Sequence, residues 1–131
     1  MDLKEEDILG MAQEAPIIKL VNQILYQAVK RNASDIHIEP DEKSLRIRQR
    51  VDGVLQEHII PGKQIVSALV LRIKLMSNMN ISEKRLPQDG RFKVDMTNEK
   101  VSFRVSILPT YYGEKIVMRL LRESISGFTL E

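Results

Sequence analysis

Apolar residues recur at helical spacing from Ile17 through Leu20, Val21, Ile24 and Ala28 to Val29, and this pattern predicts an amphipathic helix over 16–31. Pro16 suits the first turn, where a missing N–H leaves nothing unpaired, and Asn32-Ala33-Ser34 ends the run. The period then changes to two. Ile36 and Ile38 alternate with Asp35, His37 and Glu39, predicting a strand that Pro40-Asp41 turns back. Leu45, Ile47 and Val51 next take one face and Arg46, Arg48 and Arg50 the other. Asp52-Gly53 tolerates the positive φ angles of a tight hairpin, so 54–60 is the return strand. Pro61-Gly62 opens a second helix over 63–77, with Val66, Leu69, Val70, Ile73 and Met76 on its apolar positions.

Residues 78–91 are polar and irregular and predict a long loop closing at Asp89-Gly90. Three strands follow over 92–96, 101–108 and 115–121. Asn98 falls in the first connection, and Pro109 with Gly113 in the second. The order is helix, three strands, helix, three strands. That order predicts an α+β domain, an antiparallel sheet with helices packed on it. Residues 1–14 read as a lead-in, acidic and weakly apolar.

Composition narrows the class. A chain of 131 residues, 43% hydrophobic, fills one core without disulfides or metal staples. It has no cysteine, which excludes a thiolate metal site and a cysteine nucleophile and fits a reducing cytoplasm. No apolar run approaches the roughly 20 residues of a membrane-spanning helix, and the acidic N-terminus predicts no secretory signal. The net charge of +2 hides an asymmetry: residues 1–45 carry nine acids and five bases, residues 46–131 nine acids and 15 bases, and nine of the ten arginines fall in the second part. An arginine-weighted stretch points to an anionic partner without saying which.

Neither the dinucleotide-binding Gly-x-Gly-x-x-Gly pattern nor the Walker A phosphate loop occurs, so the chain does not read as a free-standing enzyme. Asp35, His37 and Glu39 share a strand face that a metal would need, although a polar surface is the plainer account and no metal is predicted. Arg104 interrupts VSFRVSI, and Arg119 interrupts IVMRLL. Burying a guanidinium in so apolar a strand is costly unless an anion meets it. Snorkelling at a strand end, or pairing with a carboxylate such as Asp95, would also account for either residue. Arg46, Arg48 and Arg50 form a second basic stripe, which a solvated face would explain equally.

Five motifs stand in order along the chain: ASDIHIEP at 33–40, RxRVDGVL at 48–55, EKRLPQDGR at 83–91, RVSxLPT at 104–110 and GEKIVMRLL at 113–121. Together they resemble the assembly ATPases of type II secretion and type IV pilus systems, the GspE/PilB group, over about 15–122. The resemblance implies the second N-terminal domain of such an ATPase, with a PAS-like fold, 123–131 beginning the linker to a C-terminal ATPase domain whose Walker motifs are absent here. It implies that this domain is not itself catalytic. Its expected partners are C-terminal ATPase domains of the same or a neighbouring subunit, in a homo-hexamer that works in the cytoplasm against inner-membrane platform proteins. ATP and Mg2+ are the cofactors implied for the whole protein. The family's phosphate-contacting arginines fall on Arg104 and Arg119, with Arg91 a third candidate; Arg46, Arg48 and Arg50 are expected on an interdomain surface. For Asp35, His37 and Glu39 the resemblance supplies a signature and no role.

Two other classes of function remain open to the residues themselves. A nucleic-acid-binding module would use the basic half, yet aromatics are 5% of the chain, there is no Trp, and Tyr111-Tyr112 falls in a turn. A PAS-like ligand sensor would need a cavity with convergent polar groups, for which the sequence shows no cluster.

Overall fold

A computed structural model describes residues 10, 12 and 14–124. Helix α1 (Ala15–Lys30) carries Pro16 in its first turn and buries Ile17, Val21, Ile24, Leu25, Ala28 and Val29. Strands β1 (Asp35–Pro40), β2 (Ser44–Val51) and β3 (Val54–Pro61) follow, then helix α2 (Lys63–Met76) and strands β4 (Gln88–Asp95), β5 (Glu99–Thr110) and β6 (Gly113–Ser124). The six strands form one sheet in the order β3-β2-β1-β6-β5-β4, every pair antiparallel. This is the α+β architecture that the alternation of periods predicts.

Strand alternation decides the two faces. Ile36, Ile38, Leu45, Ile47, Val101, Phe103, Val105, Ile107, Ile116 and Met118 point to one side, where α1 and α2 pack against each other and cover them in a single core. Phe92 stacks on Phe103 at 5.0 Å between ring centroids and extends that core to the β4 edge. The other face carries the alternate residues, and among the described residues no helix lies over it. Each good alternation in the sequence therefore becomes a covered side and an open side.

The turns follow residue chemistry. Asp52 and Gly53 take φ of 52° and 79°, the two successive positive values of a two-residue hairpin. Asn32 and Asn78, at φ 60° and 61°, end the two helices in the left-handed region that Asn tolerates.

The second half departs from the predicted boundaries. β4 starts at Gln88, so Asp89-Gly90 lies in a strand and does not close a loop. The reason is packing: a Cβ on Gly90 would stand 2.8 Å from the backbone oxygen of Ser77, so only glycine lets the strand run this close beneath the end of α2. β5 likewise continues through Pro109 to Thr110, paired with Glu114 and Gly113, and only Tyr111 and Tyr112 turn. The lead-in at 1–14 and the linker from 123 fall mostly outside the described residues; at their margins Gly10 and Ala12 are helical and β6 reaches Ser124. No helix among the described residues is long and apolar enough to cross a membrane.

Candidate functional site

Three of the arginines meet on the open face. The register places Arg104 of β5 directly opposite Arg119 of β6 on one side and Arg91 of β4 on the other. Residues opposite one another in a sheet share a face, so the three guanidiniums rise from adjacent strands in one row. All three are exposed. Neither Arg104 nor Arg119 is buried, so no cost of burial arises: the apolar neighbours Phe103, Val105, Met118 and Leu120 point the other way, into the core, and the arginine positions alternate outward.

Like charges directly opposite one another destabilise a sheet. Here there are two such pairs in succession, and among the described residues none of the three arginines forms an ion pair. Asp95 does not relieve them, since it faces Lys100 further along β5. Beside the row, the Ser106 hydroxyl donates a 2.7 Å hydrogen bond to Asp89, and these residues with Arg91 and Arg104 line an open depression over β4 and β5.

The row continues onto β1, where Asp35 stands opposite Arg119, but the Asp35 carboxylate turns to the far side. It lies 3.7 Å from Arg50 Nε and 3.6 Å from His37 Nε2. This half of the face is organised differently. Arg46 meets Asp41 and Glu57, each at 3.3 Å, and Arg48 meets Glu39. Lys115 reaches the other Glu39 oxygen at 3.2 Å. Burial alone would raise the Glu39 carboxyl, but the hydrogen bond from Lys115 and the charges of Arg48 and Lys115 outweigh it and hold the group below its ordinary 4.5. Asp35 and Glu39 therefore have a structural use the motif did not disclose: Asp35 pairs with Arg50 directly opposite it on β2, and Glu39 pairs diagonally with Arg48.

One charged residue escapes a reading of periodicity. Lys74 is 1% exposed, although it is a lysine in a helix. Its Nζ lies 2.9 Å from Glu114 Oε2 and donates a 2.6 Å hydrogen bond to the Glu83 carbonyl. The available signal was position: Val66, Val70 and Lys74 repeat every four residues, which puts the lysine on an apolar stripe.

Among the described residues, the fold and this face define an α+β domain that buries one side of its sheet under helices and leaves the other open, with paired arginines at one end and three unpaired ones in a row at the other. Residues 11–131 match the model of the family described as Type II/IV secretion system protein, and the chain belongs to that family. It is 50% identical over 120 residues to the type IV pilus assembly ATPase PilB of Myxococcus xanthus, covering 91% of this chain and 21% of that protein. It is 48% identical over 127 residues to the type II secretion system ATPase E of Vibrio cholerae, covering 97% of this chain and 25% of that protein. With PilB of Acinetobacter baylyi the identity is 53% over 112 residues, 85% of this chain and 19% of that protein. The chain thus spans about a fifth to a quarter of the length of these relatives.

Proposed function

We propose that this chain is a domain of an ATPase that drives type II secretion or type IV pilus assembly. It hydrolyses no ATP alone. Arg104 and Arg119, with Arg91 beside them, meet the phosphates of ATP held with Mg2+ by a C-terminal ATPase domain of the same or a neighbouring subunit in a hexamer. Arg46, Arg48 and Arg50 flank that contact on the interdomain surface. The assembly works on the cytoplasmic side of the inner membrane, against the secretion or pilus platform.

The observation that carries this reading is the row of three exposed guanidiniums that have no counter-ion among the described residues. A planar, permanently charged fork grips phosphate oxygens at two points, which a lysine does not reproduce. Three forks on adjacent strands repel one another until an anion enters. Closure of a neighbouring domain would bring the phosphates in, relieve the repulsion and place positive charge on the transferring phosphoryl group. Hydrolysis is then coupled to domain movement, and arginines supplied in this way are worth about 10³–10⁵ in rate elsewhere.

The test is ATP turnover by the full-length protein. Arg104→Ala or Arg119→Ala is expected to lower kcat at least about 100-fold, with hexamer assembly and ATP binding largely kept and Lys rescuing little at either position. Near-normal turnover in both alanine variants sinks the assignment.

A further inference from the structure

The domain's one fully buried charge among the described residues lies away from the arginine row. Lys74 sits on the α2 stripe that otherwise carries Val66, Val70 and Ile73. An ammonium out of water is tolerable only where partners take up its charge and its N–H groups. Glu114, at the start of β6, supplies a carboxylate at 2.9 Å, and Glu83 supplies a backbone carbonyl at 2.6 Å. One cation therefore ties together a helix, a strand and the segment between α2 and β4.

That segment leads to Arg91. Gln88, the first residue of β4, returns its side chain to Asn80 in two 2.9 Å hydrogen bonds, accepting from the Asn80 N–H and donating to the Asn80 carbonyl. The Asn80 side chain accepts from Ser82 N–H at 3.0 Å, and the Glu83 carboxylate accepts from Arg85 N–H at 2.7 Å. The segment is stitched to itself by these local bonds; its start is held to α2 by the Met79 N–H donating to the Lys74 carbonyl at 2.9 Å, and the Lys74 side chain fastens its far part, at Glu83, to the helix. Among the described residues β4 is an edge strand that pairs with β5 alone. A slip of one residue in its register would turn every side chain over and send Arg91 to the core face.

We propose that Lys74 is a positioning residue for the arginine row. Held by Glu114, it anchors the Glu83 carbonyl, fixes the register at which β4 joins the sheet, and so sets Arg91 beside Arg104. The inference rests on the reading of the row as a phosphate site and adds a residue that touches no phosphate.

The test uses Lys74→Met in the full-length ATPase, with kcat, KM for ATP, melting temperature and hydrogen exchange of the amides over 80–88. The expected result is a kcat about tenfold lower with KM within about twofold. The amides over 80–88 lose protection, and the loss of kcat disappears when Lys74→Met is made in an Arg91→Ala background. Lys74→Met combined with Glu114→Gln leaves no buried charge unpaired; it gives the same pattern and stands in if the single variant does not fold. A lower melting temperature with unchanged kcat and unchanged protection overturns the proposal, because Lys74 then only stabilises. Losses that multiply in the Lys74→Met/Arg91→Ala variant overturn it too, because Lys74 then acts elsewhere. Failure of the phosphate reading shows separately, as normal turnover in Arg104→Ala and Arg119→Ala, both of which leave the Lys74 anchor intact.

Discussion

Removing the middle charge of the row separates its effect on the fold from its effect on function. Arg104→Gln keeps a long polar side chain and deletes one guanidinium flanked by Arg91 and Arg119. Facing positions hold their Cβ atoms about 5 Å apart, and splayed side chains bring neighbouring charges to about 7 Å. Two unit charges at about 7 Å in water repel by about 0.6 kcal/mol, and Arg104 feels two of them. Screening leaves about 1 kcal/mol in about 0.01 M salt, about 0.5 kcal/mol in about 0.15 M and about 0.1 kcal/mol in about 1 M. For a domain of this size about 1 kcal/mol corresponds to about 4 °C in melting temperature. Arg104→Gln is therefore expected to melt about 4 °C higher than the parent in low salt, about 2 °C higher near physiological salt and level with it in molar salt. In the full-length protein, the proposed phosphate contact predicts that the same substitution lowers ATP turnover at least about 100-fold. Thermal melts at three salt concentrations and an ATPase assay decide the matter. A variant that melts lower at every salt rules out an unrelieved repulsion at this position, because Arg104 would then be holding the fold.

Three further outcomes follow from particular contacts. Gly90→Ala places a methyl 2.8 Å from the Ser77 carbonyl oxygen and 3.1 Å from Met79 Cε, and since backbone cannot step aside the cost is about 2 kcal/mol, read as a melting temperature about 8 °C lower. Glu39 is held below its ordinary 4.5, so its stabilising contribution is whole above that value and is lost as pH falls through the lower folded value. The stability gap between the parent and Glu39→Gln should accordingly be constant near neutrality and close as the pH is taken below about 4.5 in chemical denaturation. Arg122 donates to the Val29 carbonyl at the end of α1 and pairs with Glu99 at 2.9 Å, so Arg122→Met should fray that helix end, visible as faster amide exchange over 30–33.

Much of the fold is legible in the chain because period and turn chemistry are local. The switch from 3.6 to 2 between Val29 and Ile36 locates the first helix and strand, and Asp52-Gly53 takes the two positive φ values its residue types favour. What is not legible depends on neighbours remote in sequence. Nothing local reveals that Gly90 lies beneath Ser77, so a polar Gln-Asp-Gly run reads as loop when it is strand. Alternation puts Arg104 and Arg119 opposite their apolar neighbours, but only the strand order shows that they face each other and that Arg91 completes the row. Lys74 is hidden for the same reason: its partners are a backbone carbonyl nine residues on and a carboxylate forty residues on.

The two ends of the open face carry arginines in comparable number and treat them in opposite ways. On β2, Arg46, Arg48 and Arg50 each find a carboxylate on a neighbouring strand or turn: Asp41 and Glu57, Glu39, and Asp35. Across β4, β5 and β6 the corresponding places hold more arginine; of the carboxylates beside the row, Asp35 is turned toward Arg50 and Asp89 accepts from the Ser106 hydroxyl, and neither pairs with Arg91, Arg104 or Arg119. If solubility alone governed this face, the interleaving of signs used on β1 and β2 would serve the other end as well and would remove two like-charge pairs. A carboxylate placed among the three guanidiniums would occupy the forks that an incoming anion must use. Among the described residues the sheet pairs its arginines at one end and leaves three guanidiniums unpaired at the other, which is the arrangement the proposed phosphate contact requires. Deleting the repulsion should therefore stabilise the domain and disable the machine at the same position.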